Sequence, residues 1–192
     1  MEALYIDKHY NLVVECKQGS SKASYELYRL YSKAMLNVAF LIVGNIAEAE
    51  DVLQEAFLDA FSRIKDFRQD TTFGVWLKRI VVSHSINVVR KRKVRLIEID
   101  EEHIDGMADE AQDEDEVKDD EAKKQYKVAQ IKDAIMELPE GYRLVISLYL
   151  IEGYDHEEIG QILSVTESTS RTQFLRAKRK LTEILKRKGI IS

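Results

Sequence analysis

Hydrophobic residues recur at three- and four-residue intervals along the first half of the chain, the spacing that places side chains on one face of an α-helix. The first series consists of Leu27, Leu30, Tyr31, Ala34, Met35, Val38 and Ile42. Gly44 and Asn45 follow it, a pair typical of a helix C-terminus. The second series consists of Ala49, Val52, Leu53, Ala56, Phe57, Ala60, Phe61 and Ile64. A third runs from Val75 to about Lys91, and the three predict a helical domain ending near Arg95.

Helical spacing is absent from residues 97–126 and then returns. This segment holds too few large apolar residues to build a core, which predicts a solvated, flexible linker. Beyond it, Ile131, Ile135 and Leu138 resume the helical pattern, which stops at LPEGY. The predicted fold is therefore all-α, with two small helical domains, residues 1–96 and 127–192, joined by a flexible acidic linker.

Composition supports a helical fold and excludes several classes of protein. The 192 residues include one proline and eight glycines, so helix breakers are rare. No run of about 18 apolar residues occurs, so no membrane-spanning segment is expected, and the N-terminus does not resemble a secretory signal. Cys16 is the one cysteine, and no Cys/His spacing resembles a zinc site. We therefore expect a cytoplasmic protein without a metal or another cofactor.

The net charge of −5 conceals a strong asymmetry. Between Glu98 and Glu121 the sequence holds fourteen acidic residues and one lysine, a local charge of −13. Since the whole chain carries −5, the remainder carries +8. Two basic segments that flank an acidic one predict two surfaces for binding polyanions.

The C-terminal stretch HEEIGQILSVTESTSRTQFLRAKRKL has the pattern of a helix, a tight turn and a second helix. Ile159, Ile162 and Leu163 mark the buried side of the first helix, and Ser164-Val165 forms the turn. Thr166 is a favourable N-cap for the second helix. At 100° per residue, that helix places one set of residues on its exposed face: Ser168, Arg171, Thr172, Leu175 and Arg179, with Arg176 at the border.

This exposed face matches the requirements of major-groove recognition. Arginine can bond guanine edges in a bidentate manner, and small polar side chains fit beside bases or phosphates. A solvated basic helix of an ordinary bundle is the alternative explanation. Ser170 interrupts the apolar stripe on the opposite side, where its hydroxyl could bond to the preceding helical turn.

The segment FGVWLKRIVVSHSINVVRKRKVR gives the third helix of the N-terminal domain a second basic face. Its predicted buried stripe contains Leu77, Ile80, Val81, His84 and Val88, so His84 is expected to be a core or boundary residue. The opposite side carries Trp76, Arg79, Ser83, Asn87 and Arg90, with Lys78 nearby and Ile86 as an apolar exception. An aromatic ring beside cations suits stacking on single-stranded or melting DNA.

A polar loop, FRQDTTF, precedes this helix. Phe67 and Phe73 stand at its two ends and could form a pocket for an unstacked base. The alternative is that Phe73 and Trp76 fill the core, since buried aromatic residues mostly serve packing.

Taken together, three segments resemble the extracytoplasmic-function (ECF) family of bacterial sigma factors. These are NIAEAEDVLQEAFLDAF, FRQDTTFGVWLKRI, and the stretch from AIMELPEGYRLVISLYLIEGYDHEEIGQIL through VTESTSRTQFLRAKRKL. They correspond, in the same order and at similar spacing, to the family's regions two and four. The resemblance implies a factor, not itself an enzyme, that directs core RNA polymerase to promoters and assists promoter melting.

The resemblance also implies roles for individual residues. Asp51, Gln54, Glu55 and Leu58 would contact the clamp helices of the polymerase. The minus-ten element would be bound by Phe67, Thr71, Thr72, Phe73, Trp76, Lys78, Arg79, Ser83, Asn87, Arg90 and Arg92. The minus-35 element would be bound by Ser168, Arg171, Thr172, Leu175, Arg176 and Arg179. Further implied partners are the polymerase flap and an anti-sigma factor.

Five positions differ from the usual residues of the family. Ser83 replaces an Asn, Asn87 an Asp, Gly160 an Ala, Ser164 a Gly and Gln173 a basic residue. These differences bear on base preference rather than on the general role. For the acidic linker, the resemblance implies passage through the polymerase RNA channel. A solubilising tether and a shield over the two basic surfaces are the alternatives.

Two other functions are compatible with the residues alone. A polymerase-independent helix-turn-helix regulator would bind a duplex site tightly by itself. A nuclease or another hydrolase could use acidic residues around a metal, although no histidines converge with them and no phosphate-binding glycine loop is present.

Overall fold

The computed structural model describes residues 7–92 and 121–191, with side chains from residue 126 onward in the second range. The N-terminal range contains α1 Tyr10–Lys17, α2 Ser21–Val43, α3 Ile46–Ser62, a 3₁₀ turn Ile64–Asp66 and α4 Phe73–Lys91. The C-terminal range contains α5 Glu121–Met136, α6 Glu140–Ile146, a π-helical turn Ser147–Ile151, α7 His156–Leu163 and α8 Glu167–Arg187. Both described ranges are all-α, as predicted.

Most long helices begin at a side chain that accepts a bond from an otherwise unpaired backbone amide. Ser20 caps α2, Asn45 caps α3 and Thr72 caps α4, each through the amide three residues ahead. At the other end of α2, Gly44 adopts a left-handed conformation with φ of 75°, which a residue without Cβ accommodates at no steric cost. The predicted stop at Gly44-Asn45 is therefore confirmed.

The N-terminal helices form a bundle in which α2, α3 and α4 pack against one another. The apolar series of α2 and α3 supplies much of its core, including Leu27, Ile42, Val52 and Phe57. Helix α1, which the hydrophobic pattern did not predict, adds Val13 and Cys16 to the same core. This bundle fixes the polar faces of α3 and α4 outside the core.

In the C-terminal range, α7 and α8 form the predicted helix-turn-helix. Asp155 and Glu158 complete a capping box at the start of α7, and Thr166 caps α8 through the amide of Thr169 at 3.0 Å. Ser164 turns the chain between the helices with φ of 59°. A Cβ on Gly160 would lie 2.9 Å from the backbone oxygen of Val165, so glycine permits close contact between α7 and the turn.

The two halves pack against each other. Leu144, Val145, Leu148 and Ile159 belong to the same apolar cluster as the N-terminal bundle. Conversely, Leu41 of α2 belongs to a second cluster, with α5, α6 and α8. Sequence periodicity predicted apolar faces on each helix but did not indicate that some of them would be shared between the two halves.

Two predictions need correction. Ile86, predicted on the polar side of α4, is buried, because α4 packs against both α2 and α3 and its apolar surface is wider than one stripe. Helix α5 begins at Glu121, so residues 121–126 are helical rather than linker, in keeping with the high helix propensity of this stretch. Residues 97–120, the rest of the predicted linker, lie outside the described residues.

Within the described ranges, no helix combines the length and apolarity needed to cross a membrane. The same residues contain no group of three histidine, cysteine or acidic side chains close enough to hold a metal ion.

Candidate nucleic-acid interface

Helix α3 exposes the polar face that was predicted to contact polymerase. Asp51, Gln54, Glu55 and Leu58 follow the i, i+3, i+4, i+7 spacing of one helix side, and all four are exposed. Leu58 is 72% exposed, which is unusual for a leucine on an otherwise polar face. The arrangement offers an apolar side chain surrounded by polar groups, a common composition for the centre of a protein interface.

His84 connects this face to α4. Its Nε2 lies 3.2 Å from Oδ2 of Asp59, and its Nδ1 lies 3.5 Å from Oε2 of Glu55. Partial desolvation raises the pKa of Asp59, but hydrogen bonds from His84 and Arg63 outweigh it and leave that pKa below its usual value. His84 is half-buried at the boundary of the core, as predicted.

The pocket predicted between Phe67 and Phe73 is not open. Both side chains are buried in the core, where the rings meet edge to face with centroids 6.1 Å apart. Trp76 is half-buried and stacks on Phe67, at 5.0 Å between centroids and 30° between planes. The hydroxyl of Thr72 caps α4, and Thr71 is half-buried beside it. Phe67 and Phe73 therefore anchor the ends of the loop rather than offering their faces to a base.

The polar face of α4 carries Arg79, Ser83, Asn87 and Arg90 at exposed positions, with Lys78 half-buried, and the exposed Arg92 directly follows the helix. Several of these cations contact the C-terminal half. The ammonium of Lys78 lies 3.1 Å from Oε2 of Glu152, whose side chain is only 3% exposed. Lys78 also donates to the Glu152 backbone carbonyl at 3.3 Å.

Arg90 contacts the helix-turn-helix itself. Its guanidinium donates to the backbone carbonyl of Ile162 and lies 3.3 Å from the hydroxyl of Ser164, the residue of the turn. The end of α7 supplies partial negative charge there, which favours a cation. The turn between α7 and α8 is therefore held against the end of α4.

Arg92 and Arg143 form a second contact between the halves. Arg92 bonds the carbonyl of Val43 at 2.8 Å, contacts Glu48 and lies 3.3 Å from Glu140 of α6. Arg143 is buried, and burial lowers the pKa of its guanidinium despite the nearby Glu140. A Cβ on Gly44 would clash with that guanidinium, so glycine makes room for it.

Arg79 also lies near the C-terminal half. Burial and the nearby Glu152 raise the pKa of Tyr154, and the positive charge of Arg79 opposes that rise. No sequence pattern predicted that Glu152, Glu140 and Ser164 would accept bonds from α4 and its C-cap residue, because their partners are 48 to 74 residues away.

The exposed face of α8 is arranged differently. Ser168, Arg171 and Leu175 are exposed, Thr172 and Arg176 are half-buried, and Arg179 is exposed. Arg171 pairs with Glu167 one turn earlier, at 2.5 and 3.0 Å, and this pair raises the pKa of the arginine. Thr172 donates to the carbonyl of Ser168 at 3.0 Å. Each of these contacts lies within α8. Gln173, by contrast, is buried and does not belong to this face.

A polar contact lies beneath α8. Ser170, the irregularity of the apolar stripe, is buried and its hydroxyl lies 2.9 Å from Nδ1 of His156. His156 stacks on Tyr149 at 4.5 Å and meets Phe174 edge to face at 5.5 Å. Burial, reinforced by the positive charge of Arg171, lowers the pKa of His156. The partner of Ser170 is therefore this imidazole rather than the preceding helical turn.

Family models match both halves of the chain. Sigma-70 region 2 matches residues 27–95, and Sigma-70 region 4 matches residues 129–181. The two matches lie on either side of the acidic segment. The first contains α4 and the second contains α8 as far as residue 181, and these are the helices with the two basic faces.

Curated relatives give the same result. The ECF RNA polymerase sigma factor SigW of Bacillus subtilis is 29% identical over 182 residues, which cover 91% of this chain and 95% of SigW. The ECF RNA polymerase sigma-E factor of Escherichia coli K12 is 29% identical over 174 residues, 87% of this chain and 88% of that protein.

Two solved structures share the fold. CnrH in complex with the cytosolic domain of CnrY has a TM-score of 0.51 at 21% identity, covering 94% of this chain and 98% of CnrH. The sigma factor RpoE in complex with the anti-sigma factor NepR from Bartonella quintana has a TM-score of 0.50 at 21% identity. That match covers 84% of this chain and 96% of the other.

Proposed function

Because the chain belongs to the ECF family of bacterial RNA polymerase sigma factors, we propose that it directs core polymerase to specific promoters and assists their melting. One observation carries the proposal. Two sigma regions occur in order, and each contains a helix with arginines on a solvent-facing side. Two separate basic faces suit two separate DNA elements. We place this action in the cytoplasm and assign the chain no catalytic step of its own.

Docking on the clamp helices of core polymerase is assigned to the exposed face of α3. Asp51, Gln54 and Glu55 would supply polar and charged contacts, and Leu58 would bury its side chain against the polymerase. Leu58 is 72% exposed in the free chain. Docking would remove this apolar surface from water, which favours binding. The flap of the polymerase is the proposed site for the C-terminal half.

Recognition of the minus-ten element is assigned to the loop before α4 and to its polar face. Thr71 and Thr72 offer hydroxyls, and Trp76 offers a half-buried ring beside the buried Phe67 and Phe73, which support the loop from below. A larger set would contact phosphates and unpaired bases: Lys78, Arg79, Ser83, Asn87, Arg90 and Arg92. Strand opening would draw on binding energy, since stacking and phosphate contacts favour the opened strand.

Recognition of the minus-35 element is assigned to α8 in the major groove. Arg171 and Arg176 would bond base edges or phosphates, and Leu175 would provide an apolar contact. Ser168, Thr172 and Arg179 would complete the face. The tight turn at Ser164 and the N-cap at Thr166 present the start of α8 outward, the end that reads bases in helix-turn-helix proteins.

The two halves must separate for both elements to be bound. The minus-ten and minus-35 elements lie more than ten base pairs apart, and ten base pairs alone extend about 34 Å along DNA. In the free chain, by contrast, Arg90 of the minus-ten face contacts the turn of the helix-turn-helix directly. Three cations of this face bond acceptors in the C-terminal half: Lys78, Arg90 and Arg92. DNA phosphates would have to replace those acceptors. Binding to core polymerase would supply the free energy of this separation.

An anti-sigma factor is the proposed regulatory partner. The chain shares its fold with RpoE, whose solved structure is a complex with the anti-sigma factor NepR. Such a partner would act by holding the polymerase-docking face or the two basic faces away from their targets.

Run-off transcription with purified core polymerase on a promoter library tests the proposal. Transcripts are expected only when this chain is added, from sites that share two short elements at a constant spacing. Leu58→Asp is expected to abolish them by preventing docking, and Lys186→Ala, at an exposed position near the end of α8, serves as control. Tight binding to one duplex site without polymerase, and no transcripts with it, would instead indicate a polymerase-independent regulator.

A further inference from the structure

Residues 68–72 form a five-residue loop between two fixed points. Phe67 and Phe73 at its ends are buried, whereas Arg68 and Asp70 are exposed and Gln69, Thr71 and Thr72 are half-buried. Gln69 has φ of 64°, a left-handed conformation that non-glycine residues seldom adopt. A loop held in such a conformation depends on the contacts that fix its ends.

Both ends are held by residues from the start of the chain. The ammonium of Lys17 donates to the carbonyl of Phe67 at 2.6 Å and lies 5.6 Å from the centroid of that ring. Oδ2 of Asp7 accepts from the amide of Phe73 at 2.6 Å. Both bonds have one ionised partner, which makes them stronger than bonds between neutral groups.

The geometry of Asp7 is itself restrained. Its other carboxylate oxygen accepts from the amide of His9 at 2.9 Å, and the His9 ring meets Tyr31 edge to face at 5.6 Å. Tyr31 in turn contacts Phe73 at 5.4 Å between centroids. Asp7 and the aromatic ring below it therefore hold Phe73 from two directions.

The direction of α4 depends on the same contact. Phe73 is the first residue of α4, and its amide is one of the unpaired donors at a helix N-terminus. Thr72 caps the amide of Val75, and Asp7 caps that of Phe73. The Asp7 carboxylate also complements the positive end of the helix dipole. One short segment thus fixes the carbonyl that precedes the loop and the amide that follows it.

We propose that Asp7 and Lys17 are positioning residues for promoter melting, which hold the 68–72 loop in the shape that receives a base of the opening strand. The inference rests on the proposed function. Neither residue lies within the match to Sigma-70 region 2, which begins at residue 27. Neither needs to touch DNA: each acts through the backbone of the loop, because a pre-shaped site loses less conformational freedom on binding.

The experiment compares Lys17→Met and Asp7→Asn with two controls on the same segment, Lys8→Met and Glu15→Gln, whose side chains are exposed. Each variant, as the full chain bound to core polymerase, is assayed on a promoter selected with the wild-type protein and on copies with single changes in the minus-ten element. The readouts are affinity for core, rate of open-complex formation and discrimination between the minus-ten sequences.

Lys17→Met and Asp7→Asn are expected to slow open-complex formation about tenfold, the scale of a lost hydrogen bond to a charged group, and to reduce discrimination at the minus-ten element. Affinity for core should be unchanged, the controls should behave as wild type, and Lys17→Arg should restore part of the discrimination. Equal losses on all promoters, in proportion to a loss of core affinity or of folded protein, would overturn the inference. Failure of the wild-type chain to open any promoter would instead overturn the proposed function.

Discussion

The two basic helices of this chain differ in what their cations contact. On α4 and its C-cap, Lys78, Arg90 and Arg92 bond acceptors of the C-terminal half. On α8, the contacts described for Arg171 and Thr172 lie within the same helix, to Glu167 and Ser168. Breaking an exposed intrahelical ion pair so that its arginine can bind DNA costs little free energy. The α4 contacts, by contrast, connect one half of the molecule to the other. On the proposed assignment, Arg171 and Thr172 of the minus-35 face can therefore bind DNA in the free chain, whereas Lys78, Arg90 and Arg92 of the minus-ten face must first release their partners in the C-terminal half.

The difference also concerns what lies below each face. Helix α4 rests on a core that continues into the C-terminal half through Leu144, Leu148 and Ile159. Helix α8 rests on α6 and α7, and its contact with α7 includes the edge-to-face pair of His156 and Phe174. Opening the molecule therefore exposes apolar surface beside α4 and removes Leu41 of α2 from the cluster beneath α8, while α8 keeps its packing against α6 and α7. Binding of core polymerase must offset that exposure.

The largest expected effect comes from removing a cation of the open face. Arg171→Ala should lower the affinity of the holoenzyme for promoter DNA between about tenfold and a hundredfold, the range for a bidentate contact to a base. The free energy of unfolding should change little, because Arg171 is exposed and its one described partner is Glu167. Filter binding and run-off transcription measure the loss. An unchanged affinity would exclude Arg171 from the interface.

A smaller effect is expected from releasing a cation of the engaged face. Glu152→Ala removes the carboxylate that holds Lys78, which should loosen the contact between the halves. The free chain should then bind a single-stranded minus-ten oligonucleotide about fivefold more tightly, the scale of the net contribution of one ordinary hydrogen bond, because Lys78 keeps its bond to the Glu152 carbonyl. Glu157→Ala, at an exposed position of α7, is the matched control. Weaker binding by the Glu152 variant would contradict the masking of α4.

The support of α8 should respond to pH. The pKa of His156 is lowered in the folded chain by burial, so the unfolded state binds a proton first as the pH falls. Stability contributed by the neutral imidazole is present above the unfolded pKa of about 6.5 and is lost as the pH falls below it. The melting temperature of the chain should therefore decline below that pH, and His156→Gln should reduce the decline. If the melting temperature of the variant fell equally, titration of other groups would be responsible for the decline.

The smallest effect is expected from the intrahelical pair of α8. Glu167→Gln should change the free energy of unfolding by less than about 0.5 kcal/mol, the usual size for an exposed pair. Binding to duplex DNA should become slightly tighter, because Arg171 no longer has a competing carboxylate. Chemical denaturation and filter binding measure the two quantities. A decrease of more than about 1 kcal/mol in the free energy of unfolding would exceed the usual contribution of an exposed pair. It would show that Arg171 cannot release Glu167 for DNA at little cost.

Much of the fold was predictable because it follows local rules. The helical series of α2 and α3, the stop at Gly44 and the N-cap at Thr166 each depend on residues within a few positions. The exposed faces of α3 and α8 could be predicted for the same reason. Which bases or polymerase groups those faces contact stays a prediction.

The remainder depended on contacts between distant residues. Ile86 is buried because α4 has neighbours on two sides, and Phe67 and Phe73 are buried because Tyr31 and Trp76 cover them. The contacts of Lys78 and Arg90 with the other half span more than 70 residues, and no periodicity predicts such pairs. The contribution of α1 to the loop before α4 is of the same kind.

The separation of the two halves is the central claim, and a distance between spin labels tests it most directly. Labels at Lys33→Cys on α2 and Lys186→Cys on α8, both exposed positions, are introduced after replacement of the buried Cys16 by serine. The free chain should give one short distance. Binding to core polymerase and promoter DNA should lengthen it by tens of ångströms, since ten base pairs already extend about 34 Å. An unchanged distance in a complex that produces transcripts would contradict the account.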